Sequence, residues 1–209
     1  MSAREVFGGE PVIEFARARD RRSFLRWAAI LGVGGSLAAA AGNPFASAQA
    51  ANDLEILNYA LTLEYLERDF FGRGLRAGIL TGRDEEIVQE IGEHENQHVA
   101  TLSQAVRDLG GTPVDEPRLR YPAGTFGDRA TWLDTASKLE ELAVKAYHGQ
   151  VTKIGDAGLL GAAASLAGAE SRHAAILADL SGGNPFPAPL EQHLNQSRVL
   201  MAARPFFKS

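Results

Sequence analysis

Hydrophobic residues recur at helical spacing through most of the chain after residue 50. In residues 52–77 the apolar positions are separated by three, four or six residues: Leu54, Leu57, Leu61, Tyr65, Phe71 and Leu75. This spacing places apolar side chains on one face of an α-helix. The pattern therefore predicts a first helix over residues 52–77, with Asn52 or Asp53 as its N-cap.

Three further helices follow from the same kind of pattern. Acidic residues 84–86 suit the start of a second helix, which ends near residue 109 before two glycines. A third helix begins with Asp128 or Thr131 as its N-cap and ends near Ile154, after which a glycine and an aspartate form a turn. A fourth helix covers residues 157–180, and its alanine-rich face would allow close approach to another helix.

The connection between the second and third helices determines how the helices are arranged. Residues 112–127 contain three prolines and two glycines and have no hydrophobic period, so they form a long irregular link. Such a link joins two helical hairpins in bundles with a crossover connection. We predict an all-α four-helix bundle over residues 51–183. Residues 184–209 then form a short C-terminal strap, with a helix at 190–203.

The first fifty residues read as an export signal. A basic segment precedes an apolar run at residues 27–41, and residues 48–50 (Ala-Gln-Ala) have the small-x-small form of a cleavage site. Arg21 and Arg22 lie in a stretch that resembles the twin-arginine export motif, although other residues of the motif differ; an ordinary secretory signal is the alternative. The apolar run is shorter than the roughly 18 residues needed to span a bilayer. We expect a periplasmic or secreted protein that meets the membrane only during export.

Charge and cysteine content limit the chemistry of the chain. The net charge of −5 is mild and the basic residues are scattered, so we expect no nucleic-acid partner. Without cysteine the chain has no disulfide, no thiolate zinc site and no iron-sulfur cluster. Any metal must therefore be bound by nitrogen and oxygen atoms. Whether copies of the chain form a homo-oligomer stays open.

Two predicted helices carry a glutamate and a histidine three residues apart. Glu95 and His98 lie in the second helix, and Glu170 and His173 lie in the fourth. Residues with this spacing share one helix face, where a carboxylate and an imidazole can bind one metal ion.

The other two helices each offer a glutamate at the matching height. In an antiparallel hairpin, residues equidistant from the turn are level with each other. Glu64 and Glu95 are equidistant from residues 79–80, and Glu140 and Glu170 are equidistant from Gly155. Four glutamates and two histidines are thus predicted to surround two cations. Two assignments stay open, because Glu67 could replace or assist Glu64 and Glu141 competes with Glu140. Tyr147, two turns after Glu140, is a candidate hydrogen-bond partner of a ligand.

An alternative interpretation comes from the order His94-Glu95-Asn96-Gln97-His98. This is the H-E-x-x-H pattern of zinc peptidases, in which two histidines bind zinc and the glutamate is a general base. The extended form of that pattern fails because Thr101 stands where glycine is required. The peptidase interpretation also leaves Glu170 and His173 unexplained, so we expect His94 to be exposed or an outer neighbour of the site.

The four helical segments together resemble a known family. The stretches LNYALTLEYLERDFF, EHENQHVATL, LEELAVKAY and AGAESRHAAILADL are similar to those of exported ferritin-like domain proteins, a group that includes plant desiccation-related proteins. The wider superfamily is similar to rubrerythrins, bacterioferritins and manganese catalases. The resemblance implies a ferritin-like bundle that covers nearly all of the chain after the signal. It also implies metal ligands at Glu64, Glu95, His98, Glu140, Glu170 and His173.

These observations lead to two functional hypotheses. The carboxylate-rich ligand set suits two iron or manganese ions and a redox enzyme that acts on dioxygen, peroxide or ferrous iron. A small-molecule oxidant or a metal ion would then be the partner, and oxidative stress the setting. The alternative is a non-enzymatic envelope protein, of the stress or desiccation-related kind, in which the bundle has a structural role.

Overall fold

The computed structural model describes residues 44–208, which form an all-helical structure. Four long helices make up most of it: α1 Pro44–Arg76, α2 Arg83–Asp108, α3 Arg129–His148 and α4 Ala157–Leu180. A short helix, α5 Gln196–Ala203, and a 3-10 turn, Arg204–Phe206, follow. The prediction of an all-α four-helix bundle is confirmed.

The bundle consists of two helical hairpins, because α1 lies along α2 and α3 lies along α4. The first hairpin turns at residues 77–82, where Gly78 and Gly82 have positive φ angles of 65° and 58°. Glycine adopts this left-handed conformation without the steric cost of a Cβ. The second hairpin turns at residues 149–156, and Asp156 caps α4 by accepting hydrogen bonds from two backbone N–H groups of its first turn. Both turns place the hairpin midpoints where the sequence predicts them.

Large aromatic side chains fill the core near the α1–α2 turn. Phe70 stacks on Trp132 with 5.1 Å between ring centroids, and Phe71 meets the same indole edge-on at 5.7 Å. All three side chains are fully buried. Burial of each contributes roughly 1.5–3 kcal/mol, and aromatic pairs of this geometry add to that. These rings therefore pack α1 against α3 at this end of the bundle.

Helix α1 begins at Pro44, so the predicted N-cap at Asn52 or Asp53 is wrong. Asp53 lies inside the helix and its carboxylate accepts hydrogen bonds from the backbone N–H groups of Gly155 and Asp156, at 3.1 and 3.2 Å. It thereby ties α1 to the α3–α4 turn. A short acidic side chain suits a helix cap and a turn anchor equally well, and the local sequence does not distinguish the two.

Helix α3 ends at His148, earlier than the predicted end near Ile154. A Cβ on Gly149 would lie 1.9 Å from the carbonyl oxygen of Leu194, so the C-terminal segment passes directly over this position. The backbone N–H of Leu194 donates to the carbonyl of Lys145 at 3.0 Å, and this carbonyl also accepts from the N–H of Gly149 at 3.1 Å. The helix stops because of this tertiary contact, which hydrophobic periodicity does not reveal.

The C-terminal segment crosses the bundle, and its helix begins at Gln196 instead of the predicted Leu190. Asn195 sets this start, because its side-chain oxygen accepts a hydrogen bond from a backbone N–H in the first turn of α5. Beyond α5, an isolated antiparallel bridge joins Phe207 to Leu119 in the connection between α2 and α3. The segment thus fastens the long connection to the bundle.

The predicted export signal falls largely outside the described residues. Arg21 and Arg22, with the rest of residues 1–43, lie there, whereas the predicted cleavage site at residues 48–50 lies inside α1. Within the described part of the chain, no helix is long and apolar enough to cross a membrane.

Candidate metal centre

A layer of four glutamates crosses the middle of the bundle, one from each long helix. Glu64, Glu95, Glu140 and Glu170 are each at most 1% exposed. The structure thus brings together the glutamates that the equal-height argument selects. Charged side chains are almost never buried this deeply without compensating partners.

Two histidines extend the layer by one helical turn. The Nδ1 atom of His98 is 2.8 Å from a carboxylate oxygen of Glu170 and 3.2 Å from one of Glu95. The Nδ1 atom of His173 is 3.1 Å from the other oxygen of Glu95. Both imidazoles lie on the face of the glutamates, as the three-residue spacing predicts, and both present Nδ1 to the carboxylates.

The six side chains form two overlapping groups of four. In each group, one ligand atom per residue lies within 4.8 Å of the others: Glu64, Glu95, His98 and Glu170 in the first, and Glu95, Glu140, Glu170 and His173 in the second. Glu95 and Glu170 belong to both groups. The arrangement can therefore hold two cations that share two carboxylates.

Several oxygen atoms of this layer are buried and have few or no hydrogen-bond partners. One oxygen of Glu67 and one of Glu140 have none. The other poorly satisfied oxygens, on Glu64, Glu95, Glu140 and Glu170, face only histidine nitrogens at 2.8–3.5 Å. An unpartnered buried carboxylate costs several kcal/mol, and a bound cation removes that cost. The unpaired oxygens thus fit a site for positive ions.

Burial and mutual repulsion shift the pKa values of the acidic groups. Burial, reinforced by the charge of Glu170, raises the pKa of Glu64 to about 8. Burial likewise raises the pKa of Glu140 well above its usual value, again with a contribution from Glu170. Hydrogen bonds from the histidines overcome the effect of burial at Glu170 and lower its pKa. Without metal, Glu64 and Glu140 therefore bind protons, and these protons reduce the negative charge that bound cations would otherwise balance.

The histidine pKa values shift in the direction that compensates the carboxylates. Burial alone would lower the pKa of His98, but hydrogen bonds to the surrounding glutamates outweigh it and raise the pKa. The same balance raises the pKa of His173 to about 9. Both imidazoles are thus protonated in the metal-free protein at neutral pH, and a metal ion has to displace those protons.

The two open assignments have different outcomes. Glu67 is 3% exposed and its pKa is raised well above the usual value by burial and by the charge of Glu140, so it lies beside the layer, although it belongs to neither group of four. Glu141 is half-buried and its carboxylate lies 3.0 Å from the ammonium of Lys145. Glu141 therefore turns away from the cluster.

Tyr147 borders the layer from α3. Its side chain is buried and its hydroxyl donates a hydrogen bond to Glu64. Because the hydroxyl holds one oxygen of this carboxylate, the other is left facing the cluster. Tyr147 thus contacts one of the predicted ligands, and its role beside a bound metal stays a prediction.

His94 lies outside both groups of four. It is exposed, and its Nδ1 atom is 2.9 Å from Nε2 of His173, on the side of that ring away from the carboxylates. The H-E-x-x-H interpretation requires His94 and His98 to bind one ion together, and this arrangement does not support it. His94 is an outer neighbour, as expected, but the sequence did not identify His173 as its partner.

Comparisons with known proteins agree with the fold. The family model described as the ferritin-like domain matches residues 52–183. A solved structure described as ferritin-like, diiron-carboxylate proteins from Bacillus anthracis str. Ames is similar to this chain with a TM-score of 0.53 and 20% sequence identity. The match covers 64% of this chain and 97% of that one. No curated protein matches the chain in sequence.

Proposed function

This chain belongs to the ferritin-like domain family, and we propose that it binds two iron or manganese ions for redox chemistry with dioxygen, peroxide or ferrous iron. The observation that carries the proposal is the pair of overlapping ligand groups, which share Glu95 and Glu170. Di-iron and di-manganese carboxylate bundles use a glutamate from each of two helices and a Glu-x-x-His motif from each of the other two.

The donor atoms suit these metals. The ligand set contains carboxylate oxygen and imidazole nitrogen and no sulfur, which favours iron or manganese over metals that prefer thiolates. Zinc fits the same ligands but has no redox chemistry. Once deprotonated, the four buried carboxylates of the layer would supply the negative charge that two divalent or trivalent ions require.

Each ligand has a distinct place in the proposed site. Glu95 and Glu170 belong to both groups and would help to hold both ions, and each ion would have one further glutamate and one histidine: Glu64 with His98, and Glu140 with His173. When bound, the two ions would supply two electrons as they pass from the +2 to the +3 state. These electrons and two protons reduce dioxygen to hydrogen peroxide, or hydrogen peroxide to two water molecules.

The protein itself would hold the carboxylates in position and keep bulk water away. The hydroxyl of Tyr147 holds one oxygen of Glu64 and leaves the other free for a cation. The complete burial of the layer lowers the local dielectric constant, which strengthens the interaction between the ligands and any cation.

The test is the metal content of purified protein, measured by plasma mass spectrometry. We expect about two iron or manganese ions per chain, as in other bundles of this kind. Substitution His98→Ala should remove one ion and abolish the oxidation of ferrous iron. The matched control is His193→Ala, because His193 is exposed and lies outside both groups. Full activity of His98→Ala, or protein that never binds metal, would contradict the proposal; the latter would support the non-enzymatic alternative.

We also propose that the protein acts in the periplasm or outside the cell. The support is the paired Arg21 and Arg22 ahead of an apolar run in the sequence. Cell fractionation tests it: replacing both arginines by lysine should leave the protein in the cytoplasm. An unchanged distribution would contradict the twin-arginine route.

A further inference from the structure

The two halves of the bundle core are filled differently. Aromatic rings fill the half near the α1–α2 turn, whereas the half near the α3–α4 turn contains a cavity of about 40 Å³ that is partly open to solvent. In this measure one water molecule needs roughly 10–15 Å³, so the cavity has room for about three water-sized spheres. It lies between the glutamate layer and the α3–α4 turn.

Small side chains create this cavity. All four long helices contribute alanines to its wall: Ala60, Ala105, Ala146, Ala162 and Ala163. The atoms that face the cavity are almost all carbon. Water in such a space has too few hydrogen-bond partners, and carbon-lined cavities in proteins take up apolar molecules instead.

The cavity reaches the glutamate layer. The ring of Tyr147 forms part of its wall, and the hydroxyl of the same residue donates to Glu64. Leu63, the residue before Glu64, also lines it. The half-buried members of the wall are Thr101, Ile154 and Ala163, so the cavity opens toward solvent beside these three residues. The Tyr147 side chain thus lies between the cavity and Glu64.

We propose that this cavity binds dioxygen and holds it beside the cluster. The inference rests on the proposed redox function and narrows its substrate to dioxygen. Dioxygen is small and apolar and loses little when it leaves water, whereas hydrogen peroxide has two O–H donors that a carbon-lined cavity leaves unpaired. The wall of alanines therefore favours dioxygen over peroxide.

The first experiment locates the site with xenon, a small apolar atom that enters carbon-lined cavities. Crystals of the full chain are pressurised with xenon, with and without metal. We expect one xenon peak bounded by Ala60, Ala105 and Ala162, whether or not metal is bound. Absence of the peak would overturn the inference. Density for an elongated molecule in the cavity would overturn the assignment to dioxygen.

The second experiment tests the role of the cavity in the reaction. Ala162→Leu places a larger side chain in the cavity, and Ala164→Leu makes the same change at an exposed position of the same helix. Ferrous oxidation is measured with dioxygen and separately with hydrogen peroxide as the oxidant. For Ala162→Leu we expect the ratio of the dioxygen rate to the peroxide rate to fall about tenfold, as a barrier of about 1.4 kcal/mol to access would cause.

The two experiments separate this inference from the proposed function. Normal ferrous oxidation with an unchanged rate ratio in Ala162→Leu overturns the dioxygen cavity but leaves the di-metal site. If the protein binds xenon but never takes up metal, the missing metal overturns the redox function, and the assignment of the cavity to dioxygen fails with it. If Ala162→Leu does not fold, the xenon experiment on the wild-type protein still decides whether the cavity accepts apolar molecules.

Discussion

The exposed imidazole of His94 lies against the buried imidazole of His173, with 2.9 Å between Nδ1 of His94 and Nε2 of His173. The rings are 5.2 Å apart and inclined by 20°. A cation at Nδ1 of His173 requires that nitrogen to be unprotonated, so Nε2 then carries the hydrogen and donates it to His94. His94 thereby orients the His173 ring and selects its tautomer for metal binding.

Substitution His94→Ala should weaken metal binding without removing it. Loss of an outer hydrogen-bond partner of a metal-binding histidine costs about 10–100-fold in affinity. His94→Gln should recover part of the loss, because its side-chain oxygen can accept the same hydrogen. Titration of chelator-treated protein with Mn²⁺, followed by electron paramagnetic resonance, measures both the affinity and the number of ions.

The same series distinguishes the two interpretations of the H-E-x-x-H sequence. If His94 were itself a ligand, His94→Ala would lower the number of bound ions and not only their affinity. His193→Ala is the matched control, since it removes an exposed imidazole far along the chain. Unchanged affinity in His94→Ala would show that the contact with His173 does not support the site.

Glu67→Gln should stabilise the metal-free protein, and more so as pH rises. Burial and the charge of Glu140 raise the pKa of Glu67, so the folded state keeps a proton that the unfolded state loses above its ordinary pKa. Stability of the wild-type protein therefore falls with rising pH, and the neutral amide removes this dependence. We expect a gain on the order of 2 kcal/mol at about pH 8 and little gain at about pH 5.

Denaturant unfolding of chelator-treated protein at both pH values measures the effect of Glu67→Gln. Glu141→Gln is the control, because Glu141 is half-buried and pairs with Lys145. Its replacement should change stability by no more than about 1 kcal/mol, as for other surface ion pairs. A gain for Glu67→Gln that is the same at both pH values would contradict the argument.

The selection of the four glutamates depended only on helix geometry. Glu64 and Glu95 are level because an antiparallel hairpin pairs residues equidistant from its turn, and glycine marks that turn in the sequence. The sequence did not settle whether Glu140 or Glu141 faces the bundle interior. Neighbouring side chains on a helix point about 100° apart, and the rotation of the helix relative to the bundle depends on packing. Lys145, one turn after Glu141, holds that side chain outside.

Contacts between distant segments explain what the sequence did not predict. Helix α3 ends where Leu194 passes over it. Helix α1 begins well before Asp53, because the carboxylate of Asp53 binds the α3–α4 turn and does not cap the helix. The alanines of α4 were expected to allow close helix approach, yet Ala162 and Ala163 line a cavity. Small residues permit either result, and the relative position of all four helices decides between them.

Metal affinity should rise as pH increases from about 6 to about 9. Burial raises the pKa of Glu64 to about 8, and hydrogen bonds overcome burial to raise the pKa of His173 to about 9. Both groups thus hold protons at neutral pH that a cation must displace. Each released proton changes the affinity by about tenfold per pH unit. Calorimetric titration with Mn²⁺ in buffers of different ionisation enthalpy counts the protons released on binding. Binding without proton release would show that the pKa values of Glu64 and His173 are not raised.

Two helical glycines should respond in opposite ways to replacement by alanine. A Cβ at Gly74 would lie 2.3 Å from Nε1 of the buried Trp132, so Gly74→Ala overpacks the aromatic core and should cost about 1–3 kcal/mol. At Gly168, in α4, a Cβ meets no atom within 4 Å. Gly168→Ala should therefore gain about 0.5–1 kcal/mol from the higher helix propensity of alanine. Thermal unfolding measures both, and a gain in Gly74→Ala would show that the Trp132 ring can move aside.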